Sequence, residues 1–288
     1  MGTFKSFFKT VDSRKYNTWC RWNNRLDTYG CGCQHDCKYC YAKSLLNFRG
    51  LWKPEAPSIA DITEIEKKVK KLPVGTVVRL GGMTDCFQPL ELTERVTYET
   101  IKILNKYGIE YLIVTKSHIV ADPEYMAILD KNLAHIQITI TSTDDTLSAE
   151  YEKASPPSKR IEAIEKLQAN GYDVSVRLSP FIPEYVDINM INSIKCDKIL
   201  VEFLKVNGWI KKWFDIDYSP YTLKYGGYYH LPLNVKIELV NLITGFKELT
   251  VGEYVREHYE YFRDNVNHNP EDCCNLRRSD NERGKETL

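Results

Sequence analysis

The sequence has no long apolar run. No stretch approaches the roughly 20 apolar residues that span a bilayer, and residues 1–21 hold no apolar core of signal-peptide length. Membrane insertion is not expected. The chain also lacks an excess of either charge, with Lys+Arg and Asp+Glu both at 39. A neutral chain is poorly matched to extended, non-specific binding along a phosphate backbone, although a local basic patch would not alter the balance. There is no internal repeat and no low-complexity run. A disulfide framework is equally out of place: the nine cysteines are an odd number, and four of them crowd into residues 31–40. That usage points to a reducing cytoplasm. A length of 288 residues suits one α/β barrel with appendages, large enough to bury a sizeable core.

The crowded segment carries the chemistry. It reads Cys33-Gln-His-Asp-Cys37-Lys-Tyr-Cys40-Tyr41. Three thiolates on one short loop can hold three irons of a [4Fe–4S] cluster and leave the fourth iron to an outside ligand. A zinc site normally takes four protein ligands in pairs. Two other readings use the same loop: a zinc knuckle completed by His35, and a four-cysteine cluster that includes Cys31.

Around this loop, strand and helix signals alternate. Short strands are expected at 25–29, 76–80, 111–115, 135–141, 173–178 and 198–203. Helices are expected at 58–72 with Ser58 as N-cap, and at 92–107, 123–132 and 158–170. Strands alternating with helices argue for a parallel sheet wound by right-handed crossovers, here a partial (β/α)6 TIM barrel. Residues 1–25 read as an N-terminal extension, 26–205 as the barrel and 206–288 as a C-terminal helical extension. Helices are expected there at 235–248 and 253–265, with a polar, frayed tail from Asn267 apart from Cys273 and Cys274. The aromatic segment 218–229 either caps the barrel or lines its mouth.

In such sheets functional residues gather at the carboxyl ends of the strands. The second strand leads to Gly81-Gly82-Met83-Thr84-Asp85-Cys86-Phe87-Gln88-Pro89, where glycines let a ligand approach the backbone. The third ends in Thr115-Lys116-Ser117, and a lysine at a strand mouth can pair with a carboxylate. The fourth ends in Thr141-Ser142-Thr143. Arg177 on the fifth strand needs an anionic partner. Glu202 on the sixth is that partner or faces the pocket. Asp85, Glu91 and Glu202 are the acids of interest.

The cluster motif resembles that of the radical S-adenosylmethionine (SAM) superfamily. The resemblance sharpens with Tyr29-Gly-Cys31, Cys40-Tyr41-Ala42, Thr84-Asp85, Gln88-Pro89, Glu91, Thr115-Lys116-Ser117 and Pro156-Pro157 leading to Arg160. Together these look like the spore photoproduct lyase-like branch, over about residues 26–185. The resemblance implies a [4Fe–4S] cluster on Cys33, Cys37 and Cys40, with SAM on the open iron and a 5′-deoxyadenosyl radical released on reduction. It implies cofactor contacts from Lys116 on the SAM carboxylate, the Tyr39 backbone at the adenine and Gly81-Gly82 at the ammonium, and the strand-end positions of Thr84, Thr141, Ser142 and Arg177 add them to the expected cofactor site. It puts Cys86, Asp85 and Glu202 forward as catalytic candidates. Cys86 is either a hydrogen donor or a small buried residue, since its register is off by a few positions. The implied reaction is a lyase-type scission on a small nucleoside or nucleobase, as in queuosine-type salvage, with flavodoxin or ferredoxin as electron donor. Repair of a pyrimidine lesion in DNA is the second reading. A non-catalytic zinc- or nucleic-acid-binding module is the third. Cys273 and Cys274 stand apart as metal ligands, a redox pair or neither, with Cys20 and Cys196 as partners if the fold brings them close.

Overall fold

The computed structural model describes residues 3–4, 7–10, 20–22 and 24–276. The strands are β1 (Thr3–Phe4), β2 (Phe7–Thr10), β3 (Asn24–Asp27), β4 (Tyr29–Gly30), β5 (Ser58–Ala60), β6 (Val77–Leu80) and β7 (Glu110–Thr115). They continue as β8 (Ala134–Ile140), β9 (Asp173–Phe181), β10 (Lys198–Phe203), β11 (Leu223–Tyr225), β12 (Tyr228–His230) and β13 (Glu248–Val251). One eight-stranded sheet runs in the order β13-β10-β9-β8-β7-β6-β3-β2. All neighbours from β3 to β13 are parallel, and β2 lies antiparallel against β3. The partial barrel expected from the sequence is therefore the architecture. Its six expected strands are β3 and β6 to β10, side by side in chain order.

Alternation along these strands makes two cores. Tyr111, Ile113, Ile136, Ile138, Val174, Val176, Ile199 and Val201 point outward and join the main core. Inward-facing Val77 and Leu112 join Trp22, Tyr259, Cys273, Cys274 and Leu276 in a second cluster. The first residues of the strands form an ionic floor. His135 lies 3.0 Å from Glu110 and 2.5 Å from Asp173, Arg21 lies 3.0 Å from Glu110, and Lys198 lies 2.9 Å from Asp173.

Several expected boundaries are corrected. Residues 58–60 are a strand between β1 and β4, and the cap is Asp61, which accepts from the Thr63 and Glu64 N–H groups at 2.8 and 3.3 Å. The helices are α1 (Tyr41–Phe48), α2 (Ile62–Val69), α3 (Glu91–Glu94), α4 (Val96–Lys106) and α5 (Pro123–Met126). The expected helix at 92–107 is thus two, split where Arg95 takes φ 53. Glu91 forces the split, because its carboxylate caps α4 by accepting from the Thr97 and Tyr98 N–H groups at 2.9 and 2.8 Å. The helix expected at 123–132 stops at Met126.

The remaining helices are α6 (Asp145–Ala149), α7 (Pro157–Ala169), α8 (Ile188–Ser193), α9 (Gly208–Trp213), α10 (Leu233–Asn241) and α11 (Arg256–Asn265). The helix expected to reach residue 248 ends with α10. Asn192 holds the chain beyond it, accepting from Thr244 and Gly245 N–H at 2.9 and 3.2 Å and donating to the Leu242 carbonyl at 2.9 Å. Gly245 has no room for a side chain, since a Cβ would fall 2.1 Å from the Asn192 carbonyl oxygen. The C-terminal segment thereby supplies β13 as a seventh parallel strand beside its helices. Residues 267–276 are not frayed: they turn into the barrel floor, where Cys273, Cys274 and Leu276 are buried.

Candidate active site

The cysteine loop links β4 to α1. Cys31 and Asp36 adopt φ of 56° and 39°, and two tight turns follow, Asp36 N–H to the Cys33 carbonyl at 3.1 Å and Cys40 N–H to the Cys37 carbonyl at 3.2 Å. Gly32 lets the Lys53 backbone pass, because a Cβ there would lie 2.2 Å from its carbonyl oxygen. Cys33 and Cys37 are each 8% exposed, and Cys40 is half-buried at the start of α1. Burial pushes all three thiols up, Cys33 to about 12 with help from Asp85. Lys116 opposes that rise at Cys37 and Cys40.

The donor set discriminates between metals. A single tetrahedral ion with bonds of about 2.3 Å draws thiolates to about 3.8 Å of one another. Among the described residues, one group of three or more His, Cys, Asp or Glu ligand atoms lies mutually within 4.8 Å, and it is not this one. Sulfurs spread more widely than one ion allows fit the separate irons of a [4Fe–4S] cluster. His35 does not close with these thiols into such a group, and its Nε2 faces Asp85 Oδ2 at 3.3 Å.

Asp85 ties the site together. Its Oδ1 accepts from Thr115 Oγ1 at 2.7 Å and from Phe87 N–H at 2.8 Å, and its Oδ2 accepts from Lys116 N–H at 2.7 Å. Burial would raise this carboxyl, but His35 and these donors hold it at about 2. The ends of β6 and β7 are thus bound to the cysteine loop, and Lys116 reaches over Tyr39 with Nζ 5.6 Å from the ring centroid. Gly81 has φ 78°, and a Cβ on Gly82 would sit 1.9 Å from Arg25 Cδ. The Gly82 carbonyl accepts from the Tyr41 hydroxyl, and the Gly81 carbonyl from Arg79 Nε at 3.2 Å.

The hydroxyls at the strand ends are engaged locally. Thr84 donates to the Tyr29 carbonyl at 2.6 Å, Thr141 donates to Glu152 Oε1 at 3.0 Å, and Ser142 accepts from Asp144 N–H at 3.0 Å. Cys86 is fully buried in the main core, and that burial pushes its thiol up. Glu91 is a correction to the list of pocket acids. It is fully buried and accepts from the hydroxyls of Tyr29 and Tyr125 besides capping α4. Arg177 and Glu202 form an ion pair, as one sequence reading held, with Ser179 donating to Glu202 at 2.7 Å and Arg177 to Gln137 at 2.5 Å.

Sequence reasoning missed Glu152. It is buried against Cys37, with the Cys37 and Glu152 atoms 3.8 Å apart, and it accepts from the Tyr39 hydroxyl and the Arg160 guanidinium. Burial would raise its carboxyl, but Arg160, Lys116 and Tyr39 hold it at about 2. The available signal was Arg160, a motif arginine whose burial requires an anion. Gln34 and Gln88 also lock the loop, with Gln34 N–H donating to Gln88 Oε1 at 2.8 Å and Leu90 N–H to Gln34 Oε1 at 2.6 Å. Aromatic residues line the mouth ahead of the expected segment, as Phe214 packs 5.8 Å from Tyr39 and 5.4 Å from Tyr151. A cleft of about 750 Å³ lies at the opposite end, beside Asp173, Lys198 and Glu248.

Comparison with known proteins places this geometry. The chain is 28% identical over 169 residues to an uncharacterised protein of Methanocaldococcus jannaschii, covering 56% of this chain and 61% of that protein. It is 26% identical over 171 residues to an uncharacterised protein of the Acidianus two-tailed virus, covering 54% and 55%. The match thus spans less than two thirds of either relative. Among solved structures, a mutant of spore photoproduct lyase superposes with TM-score 0.62 at 17% identity, covering 86% of this chain and 80% of that one. A second, with bound AdoMet and dinucleoside spore photoproduct, gives 0.58 at 16% identity over 89% and 76%. Methylornithine synthase gives 0.51 at 14% identity over 78% and 64%. These structures share the fold. No helix among the described residues is long and apolar enough to cross a membrane. Residues 28–195, more than half of the chain, match the radical SAM superfamily, so the chain belongs to that family of enzymes, which use a [4Fe–4S] cluster and SAM.

Proposed function

We propose that Cys33, Cys37 and Cys40 hold the [4Fe–4S] cluster and that the enzyme is a lyase acting on a small nucleoside or nucleobase by hydrogen-atom abstraction. The observation that carries this reading is the set of three thiols, two buried and one half-buried, that do not close up as one ion would require, with Lys116 beside them at the end of β7. The bound cluster supplies the electron that cleaves SAM to the 5′-deoxyadenosyl radical. The protein's own part is orientation. Lys116 pairs with the SAM carboxylate, the Gly81-Gly82 backbone with its ammonium and the Tyr39 backbone with adenine. Thr84, Thr141, Ser142 and Arg177 shape the remaining wall. Glu202, about a third exposed in its side chain, meets substrate. Asp85 holds Lys116 in place, while the full burial of Cys86 in the main core favours the reading of a small packed residue over that of a hydrogen donor. Residues 26–205 form the catalytic unit and 206–288 a C-terminal extension, of which residues 206–276 are described. A flavodoxin or ferredoxin delivers the electron, in the cytoplasm.

Likeness of fold to spore photoproduct lyase favours the second reading, lesion repair in DNA. The neutral charge argues for the smaller substrate. Anaerobic reconstitution with iron and sulfide, then dithionite and SAM, tests the proposal. We expect about four irons per chain and 5′-deoxyadenosine, both lost in Cys33→Ala. Tight zinc that is lost in Cys33→Ala, with no SAM cleavage, would overturn it. DNA binding that weakens steeply with salt would move the substrate to DNA, whereas product formation from free nucleosides would keep it small.

A further inference from the structure

The barrel floor holds a second group of thiols that the radical chemistry does not use. The sulfurs of Cys20, Cys273 and Cys274 lie within 4.8 Å of one another, and those of Cys273 and Cys274 are 4.0 Å apart. Cys273 and Cys274 are buried and Cys20 is half-buried. This spacing is close to the roughly 3.8 Å that one tetrahedral ion imposes on its thiolates. It contrasts with the wider spread of Cys33, Cys37 and Cys40. Cys196 is not part of the group, as its sulfur sits 3.5 Å from the Val174 and Lys198 carbonyl oxygens.

The surroundings are built to hold these sulfurs. Asp272 fixes the turn, accepting from Cys274 N–H at 3.0 Å, Leu276 N–H at 2.9 Å and Arg21 N–H at 3.3 Å. Gln137 Nε2 donates to the Cys274 carbonyl at 3.2 Å, and Lys198 Nζ to the Asn275 carbonyl at 3.0 Å. Trp22 Nε1 lies 3.3 Å from Cys274 Sγ.

We infer that Cys20, Cys273 and Cys274 bind a single thiophilic divalent ion of the zinc class, which staples residues 272–276 to residues 20–22 across the barrel floor. Unlike the usual four-ligand zinc site, this one leaves its fourth position to water or another non-sulfur donor, with half-buried Cys20 the most accessible of its three thiols. The site is structural, since it lies at the strands' amino ends, away from the cysteine loop. It stands whether or not the radical reading holds.

The test uses the full chain carrying Cys33→Ala, Cys37→Ala and Cys40→Ala, so that the loop cannot contribute metal. The protein is purified anaerobically, loaded with zinc or cobalt and dialysed. We expect about one zinc per chain and a cobalt spectrum with intense d–d bands and thiolate-to-cobalt charge transfer, the pattern of a tetrahedral thiolate site. Adding Cys274→Ser should abolish retention, while adding Cys196→Ser should leave it intact. Cys20→Ser gives the same reading without touching the tail, should Cys274→Ser fail to fold. Folded protein that retains no zinc, a pale octahedral cobalt spectrum, iron with acid-labile sulfide, or a disulfide at Cys20 in the anaerobic protein would each overturn the proposal.

Discussion

Glu152 has no exposed surface in its side chain, and neither does its partner Arg160. Truncating one side of such a pair leaves the other charge buried and uncompensated, at a cost of about 3–5 kcal/mol. Glu152→Gln should therefore lower the urea-unfolding free energy by that order, and pairing it with Arg160→Met should recover part of the loss. Lys116 has a different role, because its ammonium reaches toward the thiols rather than into the fold. In Lys116→Ala we expect the iron content to stay constant while SAM binding weakens by roughly 10- to 100-fold, the worth of a charge-assisted hydrogen bond, read by equilibrium dialysis. The two residues differ in legibility for a physical reason. Lys116 sits at a strand end, where position announces a site, as the spacing of Cys33, Cys37 and Cys40 does. Glu152 lies in a loop after α6, and only the folded path of the chain brings it to Cys37.

Period-two alternation made β7, β8, β9 and β10 readable, because each buries one apolar face against helices. Failures came where a side chain outside the element set its limits. Glu91 interrupts a helical pattern by capping α4, and Asn192 ends α10 from another part of the fold. No local propensity encodes either event. Alternation also builds the ionic floor, and this sets a pH dependence. Burial pushes His135 down, but its bonds to Asp173 and Glu110 more than offset that and raise its pKa above the usual value of 6.5. A raised folded pKa stabilises the protein fully below the unfolded value and loses that contribution as pH rises through the folded one. Urea midpoints should accordingly fall as pH climbs above 6.5, and the slope should flatten in His135→Gln.

Over the whole molecule, the main surprise is the path of residues 267–276. Cys273 and Cys274 stood out in the sequence, but the polar composition around them hid that the segment and Leu276 pack against Trp22 and Leu112, far away in sequence. The barrel was legible because its contacts join neighbouring strands, while the floor was not because its contacts join distant segments. A chain ending at Val266 should keep its far-UV circular dichroism and melt at lower temperature. It should also bind an apolar dye at the uncovered cluster, since burying one leucine is worth about 1.5–3 kcal/mol. An unchanged melting temperature would show that the floor contributes nothing to stability.

The contact between Trp22 and Cys274 has a consequence in time. During synthesis the parallel strands leave the ribosome in the order in which they pair, and β3 to β10 can assemble as they emerge. The floor cannot follow that schedule. Residues 20–22 emerge early and must wait for residues 272–276, which are still inside the exit tunnel after every strand of the sheet has been made. For that interval the nascent barrel is open at its base, with Trp22, Val77 and Leu112 accessible to chaperones and to water.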